Sequence, residues 1–196
     1  MKRNIISLGL IALMFAAGGV SDVFSQREGR TTFTGTALIY GTGTNTRTVT
    51  RNFNLNITGV TSAAETERFL STLRDGGQDD LLRSIDDNDL GRFSLGASVG
   101  PRINAVMVDQ FGGRQRIRVI FERWIGFGEL RYGRRSVDYP FSYVELLIDP
   151  RIGRGEGSYF QAARIRARSG NTIEIEDFGT FPSRLLGVAR RGGRLN

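Results

Sequence analysis

The feature that most constrains the fold is a series of short segments in which apolar and polar residues alternate, separated by glycine-containing turns. In residues 115–124, for example, Ile117 and Val119 alternate with Arg116 and Arg118. Such alternation is typical of a strand with one buried and one solvated face. Similar segments cover residues 31–40, 44–58, 91–95, 103–108, 141–149, 159–168, 172–178 and 184–190. The pattern predicts a mainly β protein of about eight or nine strands.

Short connections between the segments favour antiparallel neighbours. We expect a meandering barrel, a strongly curved sheet or a sandwich, which all produce the same alternation. Glycines in residues 149–157 predict a long loop, and the arginine- and glycine-rich residues from about 190 onward predict a flexible tail.

One stretch has helical spacing instead. Ser62 and Glu65 form a predicted capping box, Phe69 and Leu73 lie on one helical face, and glycines at 76–77 end the helix. A second short helix is expected at residues 79–85. We expect this helical hairpin to plug an open end of the sheet structure.

The register of one hairpin can be predicted from charge. A three-residue loop at residues 169–171 places Arg166 opposite Glu174 and Arg164 opposite Glu176. A two-residue loop would instead place Arg166 opposite Ile173, a charge against an apolar partner. Opposite charges across a strand pair stabilise it by about 0.2–1 kcal/mol, so we predict the three-residue loop.

Residues 1–25 have the order of a secretory signal peptide: Lys2 and Arg3, then an apolar run, then small residues before Gln26. We therefore expect an exported protein, periplasmic or extracellular and not integral to the membrane after cleavage. Residues 26–196 would form a single β-rich domain. A small outer-membrane barrel is an alternative, which the early helical hairpin disfavours.

The chain contains no Cys and no His. This composition excludes disulfides, Cys nucleophiles, His-based triads and the usual ligands of zinc, copper and haem, so no cofactor is expected. Paired carboxylates are the remaining catalytic equipment. Nothing in the sequence pairs two of them, so we favour a non-enzyme; the candidates are Glu122, Glu129, Asp138, Glu145 and Glu156. Acidic residues 86–89 lack the ligand spacing of an EF-hand and are expected to end a helix rather than to hold calcium.

Residues 121–143 combine seven of the nineteen aromatic residues with several arginines. Rings beside guanidinium groups can bind flat or anionic ligands through stacking and forked hydrogen bonds. The alternative is that the rings fill the core while the arginines are solvated. The predicted ligand-binding residues are Trp124, Arg123, Phe127, Arg131, Tyr132, Arg135, Tyr139 and Tyr143.

Two rows of arginines share strand faces, at positions 116 and 118 and at positions 164, 166 and 168. They could form a cationic surface, but neighbouring Glu residues favour a neutralised, solvated face. Nucleic acid is not an expected partner, because no recognition motif is visible.

Together these features favour a non-catalytic module that binds an anionic or aromatic small molecule, or a glycan, near Trp124. The alternative is a structural or interaction protein of the cell envelope without a ligand pocket.

Overall fold

The computed structural model describes residues 30–40, 47–124, 131, 135–168, 172–179 and 181–195. The predicted signal peptide lies outside these residues. The helix and strands are β1 (Thr31–Ile39), β2 (Val49–Ile57), α1 (Ala63–Ile85), β3 (Gly91–Leu95), β4 (Ala105–Phe111), β5 (Arg114–Glu122), β6 (Phe141–Ile148), β7 (Arg154–Arg168), β8 (Thr172–Asp177) and β9 (Ser183–Gly192). A short 3-10 helix covers Arg135–Asp138.

The nine strands form one antiparallel sheet that curls into a half-barrel, which confirms the predicted mainly β fold. Its strand order is β3-β2-β1-β9-β7-β6-β5-β4, and β8 pairs with β7. Strands β4 to β7 follow one another as a meander. The last strand, β9, lies between β1 and the first part of β7. It therefore connects β1, β2 and β3 to the meander within one sheet.

The concave side of the half-barrel holds the main core. Phe93 of β3 shows the curl, because its ring contacts Phe53 on the neighbouring strand and also Tyr159 and Phe121 on strands distant in the sheet order. The ring centroids of Phe93 and Tyr159 are 4.8 Å apart. Contacts between distant strands require the sheet to fold back over its own face.

A second apolar layer lies on the convex side, under α1. Phe69, Leu73 and Leu81 of the helix pack against sheet residues such as Ile120 and Ile165. The expectation that the helical hairpin plugs an open end is therefore wrong. Residues such as Ile120 give part of the sheet a second apolar face, and the helix covers it.

The predicted helix boundaries are confirmed. Ser62 accepts a hydrogen bond from the Glu65 amide, and the Glu65 carboxylate accepts one from the Ser62 amide. Gly77, with φ 80° and ψ −168°, breaks α1 into two helical segments. Within the described ranges, no helix is both long and apolar enough to cross a membrane.

The predicted register of the β7–β8 hairpin is also confirmed, although its loop lies outside the described residues. The pairs are Arg164 with Glu176, Ile165 with Ile175, and Arg166 with Glu174. The ion pairs run diagonally: Arg168 binds both oxygens of Glu174, and Arg166 lies 3.2 Å from Glu176. The apolar pair faces α1.

The sequence suggested that the glycines of residues 149–157 all belong to a loop. This expectation is wrong, because β7 already begins at Arg154. A Cβ on Gly155 would lie 1.9 Å from the carbonyl oxygen of Leu147, and one on Gly157 would lie 2.3 Å from that of Glu145. These glycines let β7 approach the backbone of β6 more closely than any side chain would permit.

The expected flexible tail from about residue 190 is also not observed. Strand β9 continues to Gly192, and Leu195 is buried in the main core. The Gln115 side-chain amide donates a 2.6 Å hydrogen bond to the Leu195 carbonyl oxygen. A single apolar side chain near the end of the chain anchors a segment whose arginines and glycines resemble a tail.

Candidate functional site

A cavity of about 780 Å³ opens at one end of the half-barrel. Strand ends converge there: Tyr40 follows β1, Trp124 follows β5, Phe178 follows β8, and Ser183 begins β9. Because each of these residues lies at or next to one end of a strand, the cavity is the mouth of the curled sheet. Its volume lies within the roughly 300–1,000 Å³ typical of small-molecule sites.

Aromatic rings form both the floor and the rim of the cavity. Phe121 and Tyr159 are buried at its floor and also belong to the main core. At the rim, Trp124 is 84% exposed, Phe181 69% and Phe178 42%. Three exposed rings around one opening are unusual for a folded protein surface, which tends to bury large aromatic side chains.

Polar side chains lie between these rings. Ser142 donates a 2.9 Å hydrogen bond to the Gln161 carbonyl oxygen, and the Gln161 amide lies 3.4 Å from the Ser183 hydroxyl. Burial raises the pKa of Tyr159, against the effect of its hydrogen bond with Ser142. The wall therefore offers hydroxyl and amide groups beside apolar rings.

Two carboxylates and one arginine line the cavity among the described residues. Burial raises the pKa of Asp177, although the amides of Gly179 and Phe178 donate hydrogen bonds to it. Glu122 is exposed. The Arg123 guanidinium donates hydrogen bonds to the carbonyl oxygens of Tyr139 and Ser136, at 3.0 and 2.8 Å. Arg123 thus fastens the 3-10 helix to the end of β5.

Tyr139 supports the cavity wall from behind. Its ring meets Phe178 edge to face at a centroid distance of 5.2 Å, and its hydroxyl donates a 2.5 Å hydrogen bond to Glu176. The Arg164 guanidinium lies 4.8 Å from the centre of the same ring. These contacts fix Tyr139, and through it the position of Phe178.

The structure brings some of the sequence-predicted residues together and separates others. Trp124 and Arg123 line the cavity, and Tyr139 lies behind it. Tyr143 lies on the opposite face, in the apolar layer under α1, and donates a hydrogen bond to Glu145. Arg131 is exposed, and Arg135 begins the 3-10 helix. Phe127 and Tyr132 lie outside the described residues.

Sequence reasoning missed most of the cavity. Phe178 and Phe181 come from the connection between β8 and β9, and Gln161, Asp177 and Ser183 come from strands. Two phenylalanines beside Gly179, just after a charged strand, were the available signal. Their meeting with Trp124 depends on β9 pairing with β7, which local patterns do not encode.

Several of the other predicted groups form ion pairs, among them Asp138 with Arg164 and Glu156 with Arg114, whereas Glu129 lies outside the described residues. Asp109 binds Arg116 and Arg118, at 2.7 and 2.6 Å, so these two arginines are neutralised by an aspartate and not by the Glu residues that the sequence suggested. In the acidic run at the end of α1, Asp86 pairs with Arg102 and Asp89 with Arg92. The described residues contain no group of three or more Asp or Glu that could hold a metal ion.

The fold and the cavity define a curled antiparallel β-sheet protein with an aromatic-rimmed cavity at one open end. The chain matches no protein-family model, and no curated protein or solved structure matches it.

Proposed function

We propose that the protein is an exported, non-catalytic binding module whose cavity takes a small ligand with a flat face, either an aromatic compound or a sugar ring of a glycan. The observation that carries the proposal is the cavity of about 780 Å³ rimmed by the exposed rings of Trp124, Phe178 and Phe181. Exposed rings bind the faces of planar molecules and sugars through apolar contact. The hydroxyl and amide groups between them would fix the ligand's orientation.

The charges at the cavity favour a neutral ligand over an anionic one. The guanidinium of Arg123 already donates hydrogen bonds to two backbone carbonyl oxygens. The other ionisable side chains among the described lining residues, apart from two tyrosines, are the carboxylates of Glu122 and Asp177. An anion would meet repulsion from both carboxylates, whereas a sugar hydroxyl could donate hydrogen bonds to them.

Trp124 makes a direct experiment feasible, because it is the only tryptophan in the chain. The full-length chain would be titrated with benzyl alcohol, which is neutral and does not fluoresce on excitation at 295 nm, and with a series of neutral oligosaccharides. Trp124 emission and its quenching by acrylamide would be recorded. A ligand stacked on the exposed indole should shield it from acrylamide, and it should raise the melting temperature as the ligand concentration exceeds Kd.

Matched variants separate the cavity from other exposed rings. Phe181→Ala removes a rim ring and should weaken binding about tenfold, the equivalent of one aromatic contact of about 1.5 kcal/mol. Phe111→Ala removes a ring that is 56% exposed at the end of β4, away from the cavity, and should leave Kd unchanged. Unchanged Trp124 quenching and melting temperature across the whole panel would contradict the proposal.

A second function has one observation in its favour. The three exposed rim rings could instead contact another protein of the cell envelope, since exposed apolar patches often mark interaction sites. In that case Trp124 would be shielded from acrylamide by a purified partner or by self-association at high protein concentration, and not by small ligands. Sedimentation over a hundredfold concentration range, with Phe181→Ala as the comparison, distinguishes these outcomes.

A further inference from the structure

The two halves of the sheet differ in charge. Strands β1, β2, β3 and β9 contain no Asp or Glu and five arginines: Arg51, Arg92, Arg184, Arg190 and Arg191. The other five strands contain seven arginines and seven carboxylates. The net positive charge of the strands is therefore confined to the half formed by β3, β2, β1 and β9.

In the other half, arginines are neutralised locally. Arg116 and Arg118 share Asp109, Arg164 pairs with Asp138, and Arg168 with Glu174. A guanidinium that already holds a carboxylate offers little net charge to an external anion. The arginine rows singled out in the sequence are thus the less cationic part of the sheet.

The convex surface of the half formed by β3, β2, β1 and β9 is polar and regular. Phe33, Leu55 and Phe93 face the core, so the alternate residues of β1, β2 and β3 face outward. We call this surface the acid-free face; its central residues are Thr32, Thr34, Thr36, Asn52, Asn54 and Asn56. Neighbouring strands are about 4.8 Å apart, so these hydroxyl and amide groups form a lattice of hydrogen-bonding positions.

Arginines border this lattice. The register places Arg92, Asn56, Thr32 and Arg191 in one row across four strands, and the Arg30 side chain joins it by a 2.8 Å hydrogen bond to Asn56. Arg184 borders the far end of the face. Arg92 holds Asp89. Within the described residues, no carboxylate lies within salt-bridge distance of Arg30, Arg184 or Arg191.

We propose that the acid-free face binds an extended polysaccharide that carries carboxylate or sulfate groups. Guanidinium groups bind such anions in a planar fork, and Thr and Asn side chains can exchange hydrogen bonds with sugar hydroxyls. The six central residues include no aromatic ring for stacking nucleic-acid bases. Large apolar side chains lie at one end of the face, where Leu38 pairs with Arg184 and Leu186 with Thr36, so a lipid surface is tested below as the competing partner. This proposal does not depend on the cavity, which opens at the end of the half-barrel.

Binding of the full-length chain to alginate and to dextran sulfate would be measured by affinity electrophoresis at two salt concentrations. The triple variant Arg30→Gln, Arg184→Gln, Arg191→Gln removes the charges of the three arginines that form no ion pair with a described carboxylate. The matched control Arg114→Gln, Arg166→Gln, Arg168→Gln removes the same charge from the other half. We expect the first variant to weaken binding about tenfold or more and to flatten its salt dependence, and the control to change Kd less than about threefold.

Further outcomes decide between partners. Asn54→Asp places a carboxylate in the middle of the face and should also weaken binding, whereas Trp124→Ala should leave it intact. Equal losses in both triple variants would overturn the proposal in favour of diffuse attraction by net charge. Stronger binding to vesicles containing phosphatidylglycerol, or to a DNA duplex, than to either polysaccharide would overturn it in favour of another partner.

Discussion

The half of the sheet formed by β4 to β8 and the half formed by β3, β2, β1 and β9 have different outer surfaces. The first has equal numbers of acidic and basic residues in its strands and carries the apolar layer covered by α1. The second has arginines without acids, and threonine and asparagine where the first has Ile120 and Ile165. Both halves nevertheless place large apolar side chains on the concave side. The interior therefore determines that the sheet curls as one unit, while the outer residues determine what each half contacts.

Phe93→Ala tests whether the two halves share one core. The ring of Phe93 is 2% exposed and contacts Phe53 in its own half and Phe121 and Tyr159 in the other. Its removal should lower the free energy of unfolding by about 3–5 kcal/mol, as for other buried phenylalanines. Urea unfolding followed by far-UV circular dichroism and by fluorescence should give coincident transitions for both proteins.

The control for this variant is Val99→Ala. Val99 is 80% exposed between β3 and β4, so its truncation should change the free energy of unfolding by less than about 0.5 kcal/mol. If the two probes gave separate transitions, and Phe93→Ala shifted only one of them, the halves would be independent folding units.

Gly155→Ala tests the seam between the halves. Gly155 lies on β7 where this strand pairs with β9 on one side and β6 on the other. A methyl group there would lie 1.9 Å from the Leu147 carbonyl oxygen, so the backbone must shift. We expect a loss of about 1–3 kcal/mol in the free energy of unfolding, typical of overpacking.

Gly112→Asn is the comparison for the seam variant. Gly112 has φ 58° and open space around its Cβ position. Asn adopts this left-handed conformation more easily than other residues, so the loss should be about 1 kcal/mol or less. Equal losses for the two variants would mean that the close approach of β7 to β6 does not require glycine.

Local patterns predicted much of the fold because they report local energetics. Alternation located the strands, the capping box located the start of α1, and charge pairing gave the register of β7 and β8. The position of β9 was not predictable, because its pairing with β1 and β7 depends on residues far apart in the chain. The cavity depends on the same pairing, which explains why Trp124 was identified while Phe181 was missed.

Asp109→Asn tests charge balance in the half that carries α1. Burial opposes ionisation of Asp109, but the hydrogen bond from Arg116 and the charges of Arg118 and Arg116 outweigh it, so its pKa is lowered. A lowered pKa stabilises the folded state above the unfolded-state value of about 3.9, and this contribution is lost as pH falls through the folded value. The Asn variant should lose about 1 kcal/mol at pH 7 and little near pH 2.

Thermal melts of both proteins from pH 7 to pH 2 check this expectation. The Arg116 and Arg118 side chains remain in the variant, so any loss reflects the missing carboxylate charge and its hydrogen bonds. A stability difference that stayed constant down to pH 2 would show that the charge of Asp109 contributes nothing.

Asp177→Asn should change the stability at pH 7 in the opposite direction from Asp109→Asn. The two variants compare a carboxylate held by arginines with a carboxylate at the cavity. Burial raises the pKa of Asp177 above its ordinary value, against hydrogen bonds from the amides of Gly179 and Phe178. The ionised group therefore costs stability at neutral pH, and the cost disappears as pH falls through the folded pKa towards the unfolded value.

An Asn oxygen can still accept the 3.1 Å hydrogen bond from Gly179. At pH 7 the variant should have a free energy of unfolding higher than that of the parent by about 0.5 kcal/mol or less, and so a slightly higher melting temperature. Near pH 3 the two proteins should melt at the same temperature. A variant that melts lower at pH 7 would mean that the ionised carboxylate stabilises the β8–β9 connection, and the cavity wall would then depend on a charge that a ligand must accommodate.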